Sequence, residues 1–156
     1  MRLRELREQD RAPLERILRE TLMFTDAEID VALELLDVGL GQRPGDGYAF
    51  LVAEQDGDVV GYACFGPTPA TDGTWDLYWV AVDRSRQRSG IGRALVAAVE
   101  EHARALGGRL LVVETSGRDA YAPTRAFYER SGYPEHARIR DFYRDGDDKV
   151  LHVKRL

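Results

Sequence analysis

The chain has 156 residues, and 27 acidic against 22 basic side chains leave a formal net charge of −5. With 44% apolar and 31% charged residues it reads as neither a disordered tail nor a membrane protein, and its length suits one domain over 1–156 that needs no disulfide or metal staple. The negative balance excludes indiscriminate nucleic-acid binding, the charged opening MRLRELREQD is no secretory signal, and a lone cysteine, Cys64, fits a reducing, cytoplasmic setting.

Residues 2–6 alternate polar and apolar side chains and read as a first strand. Asp10 and Pro13 then open a helical stretch with Leu14, Ile17, Leu18 and Leu22 at three- and four-residue spacing. Thr25 and Glu28 form a capping-box pattern, in which each side chain satisfies an orphan amide of the other. The helix that follows carries Ile29, Ala32, Leu33 and Leu36 on one face, stops near Gly39 and Gly41, and gives way to a loop over 42–47. Runs at 48–54, 59–65 and 74–82 are rich in aromatic and β-branched residues, and Asp56-Gly57 marks a hairpin between the first two. Residues 90–106 return to helical period, with Ile91, Leu95, Val99 and Leu106 on one stripe. The nearly all-apolar run 110–114 suits a strand buried on both faces of a parallel sheet. A helix over 123–131 ends at Gly132. Final strands at 137–143 and 150–153 flank Asp145-Gly146-Asp147, and Asp145, Asp147 and Asp148 read as a solvated turn. The predicted order is βααβββαβαββ, an α/β (α+β) fold with a mixed, mostly antiparallel sheet of about seven strands and four helices.

The densest chemical signal is Gln87-Arg88-Ser89-Gly90-Ile91-Gly92-Arg93, between the strand ending at Val82 and the helix that follows. A helix N-terminus offers unpaired amides and a positive dipole end, and Gly90 and Gly92 let an anion approach the backbone. Residues 83–93 hold Arg84, Arg86, Arg88 and Arg93 against Asp83, a local charge of +3 that suits a ligand with several phosphates. A dinucleotide fingerprint fails here because its third glycine position is Leu95, and a P-loop fails for want of a Lys followed by Ser or Thr.

The loop instead fits Gln/Arg-x-x-Gly-x-Gly/Ala between a strand and a helix. With WDLYWVAVD at 75–83 and AFYERSGY at 126–133, the chain resembles the GNAT superfamily of acyl-CoA-dependent N-acetyltransferases, and the order of elements agrees from end to end. The resemblance implies the GNAT fold, with splayed parallel strands, and acetyl-CoA as cosubstrate. Amides from Gln87, Arg88, Ser89, Gly90, Ile91 and Gly92 would hold its pyrophosphate, with Arg88 and Arg93 adding charge. The main chain of Val80 and Val82 would pair with the pantetheine arm. Tyr128 stands where many members keep the acid that protonates the departing thiolate. Tyr121 stands where the family often has an Asn on the pantetheine, so that contact is not carried over.

Making an amide from a thioester needs a base for the ammonium, a donor for the oxyanion, supplied by a strand amide near Val80, and a proton for the thiolate. Two carboxylates compete as base. Asp76, on the central strand, resembles in spacing the glutamate of the histone-acetylating branch; Glu114 ends the parallel strand beside the expected thioester. Asp76 is slightly preferred, and a role shared through water stays open. Cys64 reads as a small apolar filler rather than a nucleophile. His102, His136 and His152 show no metal-ligand spacing, so no metal is expected. The expected partner is a small-molecule or peptide amine, with neither nucleic acid nor membrane, and edge pairing of the last strands offers a route to a homodimer. The alternative is a non-catalytic acyl-CoA sensor or regulatory module.

Overall fold

The computed structural model describes residues 1–41 and 47–156, so most of the loop expected over 42–47 lies outside the described residues. Seven strands form one sheet in the order β1-β2-β3-β4-β5-β7-β6. They are β1 (Arg2–Arg4), β2 (Ala49–Gln55), β3 (Asp58–Pro67), β4 (Thr74–Val82), β5 (Leu110–Ser116), β6 (Glu135–Arg144) and β7 (Asp147–Arg155). Four α-helices stand among the described residues: α1 (Arg11–Glu20), α2 (Asp26–Gly41), α3 (Ile91–Ala105) and α4 (Ala122–Arg130). The element order and the mixed sheet are those predicted. Among the described residues no helix is long and apolar enough to cross a membrane. The chain divides into two units, Met1–Gly66 with Tyr78–Glu101, and Pro67–Leu77 with His102–Leu156.

In the first unit the apolar stripes of α1 and α2 close over β2 and β3. Leu14, Ile17, Leu18 and Leu36 are fully buried, in one cluster with Phe50, Val52, Tyr62 and Cys64. Each such side chain contributes about 1.5–3 kcal/mol by leaving water. The capping box forms as expected: the Glu28 amide donates to Thr25 Oγ1 at 3.3 Å, and the Thr25 amide donates to Glu28 Oε2 at 2.6 Å. Asp56 and Gly57 take the left-handed φ values, 55° and 89°, that a two-residue hairpin requires. Arg4 and Asp10 are both buried and meet through two hydrogen bonds at 2.6 and 2.8 Å, which fasten β1 to the start of α1.

Leu22 was expected on the apolar stripe, and it is 75% exposed instead. The α1 helix stops at Glu20, Thr21 Oγ1 turns back to the Leu18 carbonyl, and Leu22 sits past the turn at φ 54°. Leu106 corrects in the same way. Gly107 donates to the Arg104 carbonyl and Gly108 to the Ala103 carbonyl, a Schellman close that leaves Leu106 at the cap, 65% exposed.

In the second unit β4 and β5 are parallel, from Thr74↔Leu110 to Leu77↔Val113. The β5 strand continues antiparallel to β7, from Leu110↔Arg155 to Ser116↔Lys149. The expectation that β5 is buried on both faces of a parallel sheet is corrected: Leu111 and Val113 are buried on one face, Leu110 and Val112 are half-buried and Glu114 is exposed on the other, and the neighbour β7 is antiparallel.

Candidate active site

The glycine loop lies in the first unit. Asp83 closes a short turn by accepting from the Ser85 amide at 2.8 Å and its hydroxyl at 2.6 Å, and these bonds hold the Asp83 carboxyl below its usual pKa. The chain then reverses through two left-handed residues, Arg88 at φ 64° and Gly90 at φ 88°. A non-glycine residue pays a conformational penalty there, and Gly90 does not. The first α3 hydrogen bond runs from the Ala94 amide to the Gly90 carbonyl at 3.0 Å. The amides of Ile91, Gly92 and Arg93 therefore belong to the first turn, where a helix leaves its donors without internal partners. Ile91 is 2% exposed and anchors the turn, while Gln87, Arg88, Ser89, Gly90 and Arg93 face solvent. A helix N-terminus flanked by two exposed arginines is an arrangement that could hold a polyphosphate. Val80 and Val82 stand half-buried on β4, leading into it.

The other three candidates lie in the second unit. Tyr128 is 5% exposed on α4, with ring centroids 6.0 Å from Tyr133 and 5.9 Å from His152. Burial holds its phenol well above the ordinary value near 10, so it keeps its proton throughout the neutral range. Asp76 pairs in register with Val112, two residues before Glu114, so the two carboxylates share one face of the β4–β5 ladder. His152 pairs with Val113, which places it and the Tyr128 ring on the other face. Asp76 Oδ2 accepts from the Thr68 hydroxyl at 2.6 Å. Glu114 is about half exposed, and its Oε1 lies 2.7 Å from Lys149 Nζ.

Lys149 escaped the sequence reading because it meets Glu114 only through the β5–β7 register, across 35 positions of chain. Its ammonium also stands 4.6 Å over the Phe142 ring. His152 is fully buried; its Nδ1 lies 3.1 Å from the Tyr133 carbonyl, and its Nε2 has no protein partner. The solvated-turn reading of Asp147 is corrected. Asp147 is 2% exposed; it accepts from the Ser116 hydroxyl at 2.5 Å and pairs with Arg118 at 3.2 Å and Arg144 at 3.7 Å. Antiparallel pairing draws this first residue of β7 inward against the end of β5. Tyr121 is buried, with the Arg118 guanidinium 5.2 Å over its ring. Cys64 is 1% exposed and burial pushes its thiol up to about 12, which fits a core filler. Among the described residues no group of His, Cys, Asp and Glu could hold a metal ion.

Residues 10–133 match the acetyltransferase (GNAT) family. Over 107 residues, 68% of the chain, the sequence is 33% identical to an uncharacterized N-acetyltransferase of Methanocaldococcus jannaschii, and the match spans 65% of that protein's length. A crystal structure from Desulfovibrio desulfuricans, assigned to the GNAT family, is 50% identical with a TM-score of 0.92, covering 99% of this chain and 98% of that one. An aminoglycoside 6′-N-acetyltransferase solved with coenzyme A shares the fold at 19% identity and a TM-score of 0.76, over 99% and 97% of the two chains. With the fold, the glycine loop and these matches in agreement, the chain belongs to the GNAT family of acetyltransferases.

Proposed function

We propose that this chain, acting as one domain over 1–156, transfers acetyl from acetyl-CoA to a primary amine by direct attack in a ternary complex. The observation that carries the reading is the loop at 87–93, where left-handed Arg88 and Gly90 lead into the first α3 turn and Gln87, Arg88, Ser89, Gly90 and Arg93 are exposed. The coenzyme A held by an aminoglycoside acetyltransferase of the same fold supports it. In this reading the amides of Gln87 to Gly92 hold the pyrophosphate. The β4–β5 ladder covers only Thr74–Leu77 of β4, which supports pairing of the pantetheine with Val80 and Val82 farther along the strand. The amide near Val80 then serves the oxyanion.

Glu114 is the favoured base. Its carboxylate is about half exposed, and an acceptor ammonium takes the place of Lys149, now 2.7 Å away, whereas Asp76 is less exposed and one of its oxygens accepts from the Thr68 hydroxyl. Asp76, on the same face, orients water or shares the proton. Tyr128, held protonated by burial, donates to the sulfur as negative charge develops there, and its proton follows as CoA leaves. The acceptor is a small-molecule or peptide amine, carried in as a cation by the acidic surface.

Tyr128→Phe tests the assignment. The turnover rate is expected to fall by about 10²–10⁴-fold, the usual contribution of a positioned acid, with CoA affinity unchanged. Undiminished turnover would remove Tyr128 from the chemistry.

A further inference from the structure

The sequence carries 20 arginines and only two lysines, Lys149 and Lys154. An enzyme that acetylates amines, with so few of its own, exposes little of itself to its own chemistry. Both lysines lie on β7, and β7 places them differently. Lys154 pairs in register with Leu111, and its Nζ donates to the Ser131 carbonyl at 3.2 Å beneath the Tyr133 ring. Lys149 pairs with Ser116, on the face that also carries Glu114 and Asp76. Its Nζ stands 2.7 Å from the Glu114 carboxylate and 4.6 Å from the Phe142 ring centroid, with 16% of the side chain exposed. A carboxylate on one side and an aromatic face on the other are the two features that hold a cationic amine. This chain supplies its own.

We propose that Lys149 is an acetylation site of the protein on itself, the intramolecular stand-in for the acceptor amine. The inference rests on the reading of Glu114 as the base beside the thioester of acetyl-CoA. One proton of the Lys149 ammonium passes to Glu114, and the freed Nζ lone pair attacks the acetyl carbonyl. The C–N bond forms and the C–S bond breaks. CoA leaves as the thiol with the proton that Tyr128 donates, the second nitrogen proton restores Tyr128 through solvent, and Glu114 returns its proton to water. The product is a neutral amide. It no longer pairs with Glu114, which leaves the carboxylate open to an incoming ammonium.

The test incubates the full chain with acetyl-CoA and no added amine, and follows acetyl incorporation at each lysine by peptide mass spectrometry. Lys154 is the internal measure of uncatalysed chemistry. Lys149 is expected to react about 10²-fold faster than Lys154, the size of a general-base contribution. Glu114→Gln should bring Lys149 down to the Lys154 rate without moving Lys154, and Lys149→Arg should abolish the fast site; unchanged thermal unfolding of each variant checks the fold. Equal rates at the two lysines, or an unmodified Lys149, overturn the proposal. The same preparation, assayed for CoA binding and for acetylation of added amines, separates the two levels. Transfer to an added amine with Lys149 unmodified overturns this inference alone, whereas no CoA binding overturns the acetyltransferase reading as well.

Discussion

Replacing Asp147 by Ala is expected to destabilise the fold by about 2–4 kcal/mol, although Asp147 stands beside a surface turn. The hydrogen bond from the Ser116 hydroxyl, 2.5 Å long and buried at both ends, is charge-assisted, and losing it costs about 1.5–3 kcal/mol. The Arg118 pair adds less, about 0.5–1 kcal/mol, because 29% of the Arg118 side chain is already in water. Arg144, whose side chain is 59% exposed, adds nothing measurable. For a chain of this size the loss lowers the melting temperature by about 4–16 °C. Asp145→Ala, two residues away on the exposed turn, should stay within about 0.5 kcal/mol of the parent. Asp147→Asn, which keeps an acceptor for Ser116 but no charge, should fall between the two. Urea unfolding with matched slopes measures all three. An Asp147→Ala variant as stable as Asp145→Ala would show that the buried cluster contributes nothing.

Two further outcomes follow from the charges. Arg88→Ala and Arg93→Ala should each weaken CoA binding about five-fold and flatten its dependence on salt, as exposed phosphate contacts do; calorimetric titration at two ionic strengths would read both, and unchanged affinity would place the phosphates elsewhere. Burial pushes the Asp10 carboxyl up, yet the bonds from Arg4 and the Arg7 amide outweigh it and hold the pKa below the usual value. A depressed folded-state pKa gives stability that is present above the unfolded value, near 3.9, and is lost as pH falls through the folded one. Asp10→Asn should therefore be less stable at neutral pH and show a shallower loss of stability with acid below about pH 4, measured by thermal unfolding across pH. An acid limb as steep as the parent's would assign that dependence to other groups.

What could be read from the sequence is what local chemistry decides. The Thr25–Glu28 capping box, the Asp56-Gly57 turn and the glycine loop depend on neighbours within a few residues, and each stands where it was expected. Leu22 and Leu106 fit a helical stripe by spacing, but α1 is capped at Thr21, one residue before Leu22, and α3 is capped at Leu106 itself, which takes both out of it. Asp147 and Lys149 depend on the β5–β7 register, which joins residues more than 30 positions apart. No spacing rule reveals that a turn aspartate is drawn under Ser116, or that a lysine lies against the candidate base. The same register puts Tyr128 on one face of β5 and the two carboxylates on the other, an arrangement the one-dimensional pattern does not contain.

The central claim is acetyl transfer, and the most direct measurement is the product itself. The protein is incubated with acetyl-CoA and, separately, a polyamine, an aminoglycoside and a peptide with a free N-terminus; acetylated amine is quantified by mass spectrometry beside the CoA thiol released. The account predicts that at least one amine gains a single acetyl group in equal amount to the thiol, and that Glu114→Gln and Tyr128→Phe both suppress it. Tight CoA binding with no acetylated amine in any incubation would contradict the account and leave a protein that binds acyl-CoA without turning it over.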